Sequence, residues 1–569
     1  MPVKPDVPQI VAWRLRRRTR AHRATDARLG RFGLGFVTVL SLVLAVGAIF
    51  AARGYSNLTQ GLPSIETLPV LLAGPEGLLY EPTRIYDRER MQVIFTYQNP
   101  SLDGHSYMPL DVFPQVLVDA TLAANGGDSA YQNIAQILVS ELLLWDEESG
   151  QRRDLRQWLL GQQALAEYGQ DTVLEWYLNS ADYGHLAYGV EAAAQVYFGK
   201  SVQELALAEA AMLAATTGAP SLNPIDAPQL AIERQGAVLQ AMLAYEYIST
   251  EVAMSANVKP LEIQPGAPQS SNLAPAFTEL VIDQLEASIP RQRLLRGGLE
   301  IITTLDADLQ IQATCAAATQ LARLDSSQSA PEEDCAAARL LPTLGRDVAQ
   351  AQAGLTANAV VLDPLTGQVL ALVASTESRT TALLEHTPGT IVSPFVYLTA
   401  FTRGFSPASL LWDIPASVPP ALGDVENTDG EFHGPVSIRA ALANDYAVPA
   451  LGLLAQIGPE NAWRIARQSG LNSLETSGGE ADYRLLLDTG GVNLLELAQA
   501  YGIFSNRGIL TGYPTETVVD EAPALQPTTV LQVSDHSGRV WLDWATPQVR
   551  PVVSAQLAYL VTDVLSDDL

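Results

Sequence analysis

The sequence predicts a multidomain protein: an N-terminal transmembrane helix, then a mainly α-helical domain, then an α/β domain. Three observations carry this. Phe32 to Ala52 is a run of 21 residues without a charge, and roughly 20 apolar residues are needed to cross the hydrocarbon core of a bilayer. Residues 110–250 are rich in Ala, Leu and Glu, as in LAYGVEAAAQVYF and LALAEAAMLAA, a composition that favours helix. From about residue 299, apolar β-rich runs such as LEIITTL and ANAVVLDPLTGQVLALVAS alternate with helical patterns.

The apolar run is expected to be an uncleaved anchor. A signal peptide usually has an apolar core of about 7–15 residues; this one is longer and follows a long basic preface. The first 31 residues hold nine Lys or Arg and two acids, which orients the N-terminus to the cytoplasm and the body outside. The chain has 34 basic and 62 acidic residues, a formal net charge of −28, and the body is more acidic still. Such a body repels nucleic acid, so no nucleic-acid partner is expected. Gly and Pro usage is ordinary, and 47% hydrophobic content argues against a largely disordered chain.

The expected organisation is a basic cytoplasmic segment (1–31), the transmembrane helix (32–52) and a stalk with short extended pieces (53–100). A helical domain (101–252), a Pro- and Ser-containing linker (253–298) and an α/β domain (299–569) follow. Within the last, the turn DPLTG between two apolar runs predicts a hairpin. Helical patterns cover 395–403, 437–456, 459–469 and 494–506. The two cysteines, Cys315 and Cys335, flank a polar turn between helical stretches. In an exported body they can pair, and the bridge would contribute on the order of 3 kcal/mol. No CxxC or His/Cys cluster occurs, so no structural metal is expected. Lysine occurs at Lys4, Lys200 and Lys259 and nowhere later, which excludes lysine chemistry from the C-terminal half.

Two stretches resemble one known family. VLEWYLNSADYGHLAYGVEAAAQVYFGKSVQELALAEAAMLAA (173–215), with GAPSLNP and MLAYEYIS after it, resembles the glycosyltransferase domain of bifunctional, class A penicillin-binding proteins. GGLEIITTLDADLQ, ANAVVLDPLTGQVLALV, HTPGTIVSPFVYLTAF and VSIRAALANDYAVPALGLL resemble the transpeptidase half of the same proteins. The resemblance implies a lysozyme-like helical domain and a penicillin-recognising α/β domain, acting in peptidoglycan biosynthesis with lipid II as substrate.

In that family a Glu of an E-D-x-x-F pattern removes the proton from the attacking sugar hydroxyl, which requires an ionisable acceptor within hydrogen-bond reach. Here QVLVDATLAA is followed by Asn125 and Gly126. A later segment, ending in the family's G-G-S-T-I-T-Q-Q, is shortened, and Gln136 holds a plausible equivalent position. The third motif, R-R-K-x-x-E, reads Arg152, Arg153, Asp154, Leu155, Arg156, Gln157. Both catalytic carboxylate positions, 125 and 157, thus carry amides. Glu175, Tyr177, Asn179, Gly184, Tyr188, Gly189 and Glu191 match the family, and packing and capping are the roles expected of them. Family glycosyltransferases often use a divalent cation; retention of one is not expected here.

Penicillin-type acyl transfer places Ser and Lys of an S-x-x-K motif on one helix face, so that the amine can take the hydroxyl proton. Here the segment reads Pro388-Gly389-Thr390-Ile391-Val392-Ser393-Pro394-Phe395, and Ser393 cannot replace an amine. Thr390 is expected to cap the helix that follows. The S-x-N position becomes Asp445-Tyr446-Ala447, with Asp445 expected as an exposed turn or cap acid. His536-Ser537-Gly538, the nearest imitation of the family's K-T-G, is expected as a hairpin turn. The sequence ends at Leu569 before a K-T-G strand would appear, through natural truncation or because it is a fragment.

Three functions follow. The first is a pseudoenzyme scaffold or regulator that positions other cell-wall synthesis proteins or occupies glycan at the membrane. The second is an active glycosyltransferase, with or without D,D-transpeptidase activity, using a substitute acid among Glu141, Glu147, Glu148 and Glu167. The third is an extracellular peptidoglycan-binding module.

Overall fold

Apolar residues at helical spacing decide the first half of the body. A computed structural model describes residues 42–47, 49, 52–97, 107–258, 263, 272–324, 335–343, 355–374, 384–474, 480–519 and 522–567. The basic segment 1–31 and the first part of the expected span lie outside these residues. The helix Leu42–Thr59 is long and apolar enough to cross a membrane.

The chain divides into two compact units, one of residues 1–67 and 132–170 and the other of residues 68–131 and 171–569. In the first, residue 132 onward of the helix Ala130–Leu142 packs against the opening turns of the helix Gln151–Ser180. Gly161 permits the approach: a Cβ there would lie 3.0 Å from Gln136 Cγ. The long helix is broken at Gly169, whose φ of 82° leaves the helical region, and this break falls next to the unit boundary.

In the second unit, helices Gln115–Ala124, Leu207–Thr216 and Pro228–Ala244 pack on one another. The last buries Ala231, Gln235, Val238, Leu239 and Met242, a 3.6-residue stripe. Leu207–Thr216 is buried from Ala208 onward, and its many alanines keep the neighbouring helices close. The loop after the long helix returns on itself at Gly189, where φ is 85° and a Cβ would lie 2.6 Å from Asn179 O. Only glycine fits there.

The largest sheet runs β11-β10-β3-β1-β2, with β1 Thr83–Tyr86, β2 Val93–Tyr97, β3 Leu299–Thr303, β10 Val530–Asp535 and β11 Val540–Asp543. β1 pairs antiparallel with β2 and parallel with β3. Residues 83–97, expected as extended pieces of a stalk, are therefore strands of the α/β sheet. The alternating burial of Ile85 and its neighbours was the signal, and a four-residue strand is too short to declare itself without its partners.

The expected linker differs as well. Pro275–Glu286 is a helix burying Phe277, Leu280, Val281, Ile282 and Leu285, with Pro275 in the first turn, where its missing N–H costs nothing. The short helix Arg291–Leu295 follows. Gln292 Nε2 donates to Asp182 Oδ2 at 3.0 Å and the buried Arg296 donates to Ser180 O at 2.6 Å. This segment ties the helical core to the sheet, so the compact units do not follow the boundaries 101–252 and 299–569.

The hairpin at DPLTG forms: β4 Ala359–Asp363 pairs antiparallel with β5 Gln368–Val373. Its turn needs Gly367, where φ is 70° and a Cβ would meet Thr511 O at 2.5 Å. The expected 437–456 helix is two helices, Ile438–Ala443 and Ala447–Ile457, parted at Asp445 with φ 53°. Around Ser393–Thr402, buried from Ser393 to Phe401, these helices and Pro459–Gln468 build the second core, with Trp463 fully buried. Cys315, on the helix Ala307–Leu324, is bonded to Cys335 with the Cα atoms 6.3 Å apart.

His536-Ser537-Gly538 lies in the β10–β11 turn, as expected. Asp535 organises it: Oδ1 accepts from Ser537 N and Oγ and from Arg539 N, and Oδ2 accepts from Trp541 Nε1. Burial pushes the carboxyl pKa up, but these four donors outweigh it and hold it below the usual value. A carboxyl lowered in the folded state stabilises above its unfolded pKa and loses that contribution as pH falls through the folded one. Asp535→Asn is expected to flatten the stability-pH curve below about pH 4, measured by denaturant titration across pH 2–7. An unchanged acid limb would refute it.

Candidate functional site

The position expected to hold the glycosyltransferase base ends the helix Gln115–Ala124. Asn125 there donates its side-chain amide to Thr121 O at 2.9 Å and its backbone N–H to the same oxygen at 3.1 Å. Gly126 and Gly127 follow with φ of 98° and 57°, turning the chain sharply, and Gly127 sits against the Tyr245 ring. Asn125 lines a cleft of 260 Å³ with Ala124, Ala215, Gly218, Arg234 and Val238 among its walls. Among the described residues lining it, Arg234 alone carries a charge, and its guanidinium donates twice to Ala215 O at 3.3 and 3.0 Å. Small alanine side chains make the cleft; its chemistry is that of a hydrogen-bonding pocket without a proton acceptor. Among the described residues lining this cleft none is a carboxylate.

The arginine motif lies in the other compact unit. Arg152 donates to Gln60 O at 3.4 Å and Arg153 Nη2 to Ser140 Oγ at 3.0 Å. Arg156 is 3% exposed and ion-paired with Glu147 through Nη1. That pair removes one substitute acid, since Glu147 faces its own cation. Glu148 and Glu167 are exposed. Gln136 packs at the close approach to Gly161, and Gln157 is half-buried on the long helix. Asn125 belongs to one unit and Gln136, Arg152, Arg153, Arg156 and Gln157 to the other.

The family-like residues of 173–191 are occupied structurally. Glu175 accepts from the Tyr107 hydroxyl and from Leu110 N. Asn179 bonds both backbone groups of Met108, at 2.9 and 2.8 Å. Glu191 accepts from Val202 N at 2.7 Å. A carboxylate that receives backbone N–H groups fixes a loop to a helix, as Glu175 and Glu191 do here.

The second site differs from expectation in one respect that matters. Thr390 is not a helix cap: it sits in the tight turn Gly389–Val392, and the helix begins after Val392 with no side-chain cap. Its hydroxyl donates to Asp445 Oδ2 at 2.6 Å. A carboxylate thus stands at contact distance from the hydroxyl in the nucleophile position, although the two are 55 residues apart. Asp445 is exposed in the left-handed turn before the helix Ala447–Ile457, and Ala447 is buried at its start. Ser393, one turn after Thr390, is 3% exposed. The Tyr501 hydroxyl donates to Ile391 O at 2.5 Å; burial and then the Asp445 charge push its pKa up to about 12, so it stays protonated at neutral pH.

Tyr446 and Val448, which follow Asp445, join a network that sequence reasoning missed. Asp413 is fully buried and accepts from Asn427 Nδ2, from His433 N, both at 2.9 Å, and pairs with His433 Nδ1 at 2.7 Å. His433 stacks on Tyr446, the neighbour of Asp445, with centroids 4.4 Å apart. Asn427 Oδ1 accepts from Val448 N at 3.1 Å in the first turn of the next helix. No local pattern announces this, because the partners lie 14 and 20 residues apart on β6 Leu410–Asp413 and the loop before β7 Gly434–Ser437. Among the described residues no group of three His, Cys, Asp or Glu stands close enough to hold a metal ion.

Comparison with known proteins adds the following. Residues 107–243 match the Transglycosylase family model. The chain is 28% identical to penicillin-binding protein 1A of Aquifex aeolicus over 447 residues, covering 66% of this chain and 60% of that protein. It is 26% identical to penicillin-binding protein 1A of Rickettsia bellii over 649 residues, covering 93% and 79%. The crystal structure of penicillin-binding protein 1A from Haemophilus influenzae superposes with a TM-score of 0.45 at 20% identity, covering 85% of this chain and 79% of that one. The chain spans 60% of the length of the Aquifex protein.

Proposed function

We propose that this chain, which is similar to class A penicillin-binding proteins, serves peptidoglycan biosynthesis as a membrane-anchored pseudoenzyme. Its body stands outside the cytoplasm and positions other cell-wall synthesis proteins, or holds glycan, without processing either substrate. One observation carries this reading: the cleft beside Asn125, where an amide occupies the position of the proton acceptor and no described lining residue is a carboxylate. Polymerisation needs the sugar hydroxyl to lose its proton as it attacks, and general-base catalysis contributes roughly 10²–10⁴-fold. Neutral amides at 125 and 157, with Glu147 committed to Arg156, leave no carboxylate among the described residues lining that cleft to assist the step.

A second reading is favoured by the Thr390–Asp445 hydrogen bond. Asp445 would take the hydroxyl proton while Thr390 Oγ attacks an amide carbonyl, and would pass that proton to the amine nitrogen released as the amide bond breaks and the acyl ester forms. Ser393 stands where the family carries the amine base, so acyl transfer is expected to fail.

Both readings are tested on the full chain in detergent or nanodiscs. With labelled lipid II, no glycan chains are expected beyond the level of a no-protein control. Polymerisation that disappears in Asn125→Ala would overturn the pseudoenzyme reading. With a fluorescent penicillin, no covalent label is expected; labelling abolished by Thr390→Ala would establish the second reading.

A further inference from the structure

The two-stranded sheet of β6 and β7 leaves one face open to solvent. Successive side chains of a strand point to opposite faces, and β6 alternates sharply. Leu411 and Asp413 are 4% and 0% exposed, whereas Leu410 and Trp412 are 71% and 62% exposed. Trp412 stands opposite Pro435 of β7, itself exposed, and Phe432, just before β7, is 38% exposed. Exposed apolar side chains grouped in this way mark contact surfaces. The exposed pair Val518 of β8 Ile509–Val519 and Pro523 of β9 Ala522–Gln526 is smaller and has no aromatic ring.

The border of the β6–β7 face is negative. The chain has no Lys or Arg between Arg403 and Arg439, while Asp424, Glu426, Asp429 and Glu431 are all exposed in the loop joining the two strands. Asp429 faces His433 Nε2 at 3.3 Å. Asp424, Glu426 and Glu431 pair with no cation among the described residues. The loop is fastened to the sheet. Asn427 Nδ2 donates to both oxygens of Asp413 at 2.9 Å and to Glu431 O at 2.8 Å, and Glu431 N donates to Asp429 Oδ1 at 3.0 Å. Asp413 is the chain neighbour of Trp412, so the bonds that hold the loop also hold its acids at the end of the apolar face.

Charge and size select the occupant. A second copy in a two-fold contact would set the same acids against one another. An anionic lipid surface carries the charge that these acids repel. A globular partner needs about 20–30 residues a side, more than this face presents. A short segment with alternating apolar and cationic side chains satisfies both features: its apolar groups cover Leu410 and Trp412, its cations reach the loop acids, and an arginine gains further over the indole face. We infer that the β6–β7 face docks a short basic, apolar-anchored segment of another protein. The inference rests on the positioning role proposed above and gives that role a surface and a partner chemistry.

The probe is a fluorescein-labelled synthetic octapeptide of alternating arginine and leucine, titrated by anisotropy against the full chain in nanodiscs of zwitterionic lipid. Saturable binding is expected, weakened by added salt. Trp412→Ala and Leu410→Ser are each expected to weaken it at least fivefold, and Glu426→Lys combined with Glu431→Lys at least tenfold. Glu233→Lys combined with Glu251→Lys makes the same change in net charge at exposed acids elsewhere and is expected to weaken it no more than twofold. The thermal transition of each variant is the folding control. Absence of binding at millimolar chain would overturn the inference. Equal losses from the two charge-reversed pairs would overturn it too, by showing attraction to the acidic body as a whole. So would undiminished binding by both Trp412→Ala and Leu410→Ser, or equal binding of an octapeptide of alternating glutamate and leucine. Anisotropy reads neither polymerisation nor acylation: docking by an active enzyme would refute the pseudoenzyme reading alone, and an inactive chain without docking would refute this inference alone.

Discussion

Replacing Asp413 by alanine is expected to destabilise the α/β part by about 3 kcal/mol or more. The carboxylate is 0% exposed and receives the Asn427 amide, the His433 backbone N–H and the His433 ring. Removing it leaves buried donors without an acceptor, at roughly 1–3 kcal/mol each. The His433 ring keeps some access to water, which reduces its share. The loss should also be felt at a distance. His433 would be held against Tyr446 only from its Nε2 side, by Asp429 and the Tyr446 hydroxyl, and Asn427, which caps Val448 N, only by Glu431 O. The turn carrying Asp445 would loosen, and the Thr390 hydrogen bond with it. Urea titration of the full chain, followed by tryptophan fluorescence, measures the first effect; hydrogen exchange over residues 444–450 measures the second. A loss below 1 kcal/mol with unchanged exchange would show that the network contributes nothing of the kind.

A loss of about 3–5 kcal/mol is expected for Trp463→Ala. Trp463 is fully buried among Phe395, Leu454 and their neighbours in one apolar cluster, and its indole N–H donates to Asp482 O at 2.9 Å. Alanine leaves both a cavity and a buried carbonyl short of its donor. Trp463→Phe refills much of the space while still orphaning the carbonyl, so it should lose clearly less than the alanine variant. Equal losses for the two would mean that the hydrogen bond, rather than packing, dominates. The same denaturant titrations decide it.

Much of the fold was legible because its signals are local. The DPLTG hairpin, the helices near 395–403, 459–469 and 494–506, and the paired cysteines each follow from periodicity, turn residues or exported thiols within a short window. The stalk and linker readings failed for one reason. Residues 83–97 and 275–295 take their structure from partners remote in sequence: β1 lies beside β3, and Arg296, just after the second segment, reaches Ser180, 116 residues earlier. The reading of Thr390 as a cap failed in the same way, since its true partner, Asp445, is remote in sequence.

The sequence by itself determined which side chains stand at the positions that the family resemblance marks: amides at 125 and 157, threonine at 390, and no lysine in the stretch from Lys259 to Leu569. Those identities limit the available acids and bases, and no folding can add a titratable group to a side chain. Only the tertiary structure decided which groups meet. It committed Glu147 to Arg156, set Asp445 against Thr390, buried Asp413 against Asn427 and His433, and stacked Tyr513 on Trp544. Identity is written residue by residue along the chain, whereas proximity is fixed by the packing of cores and strand partners distant in sequence.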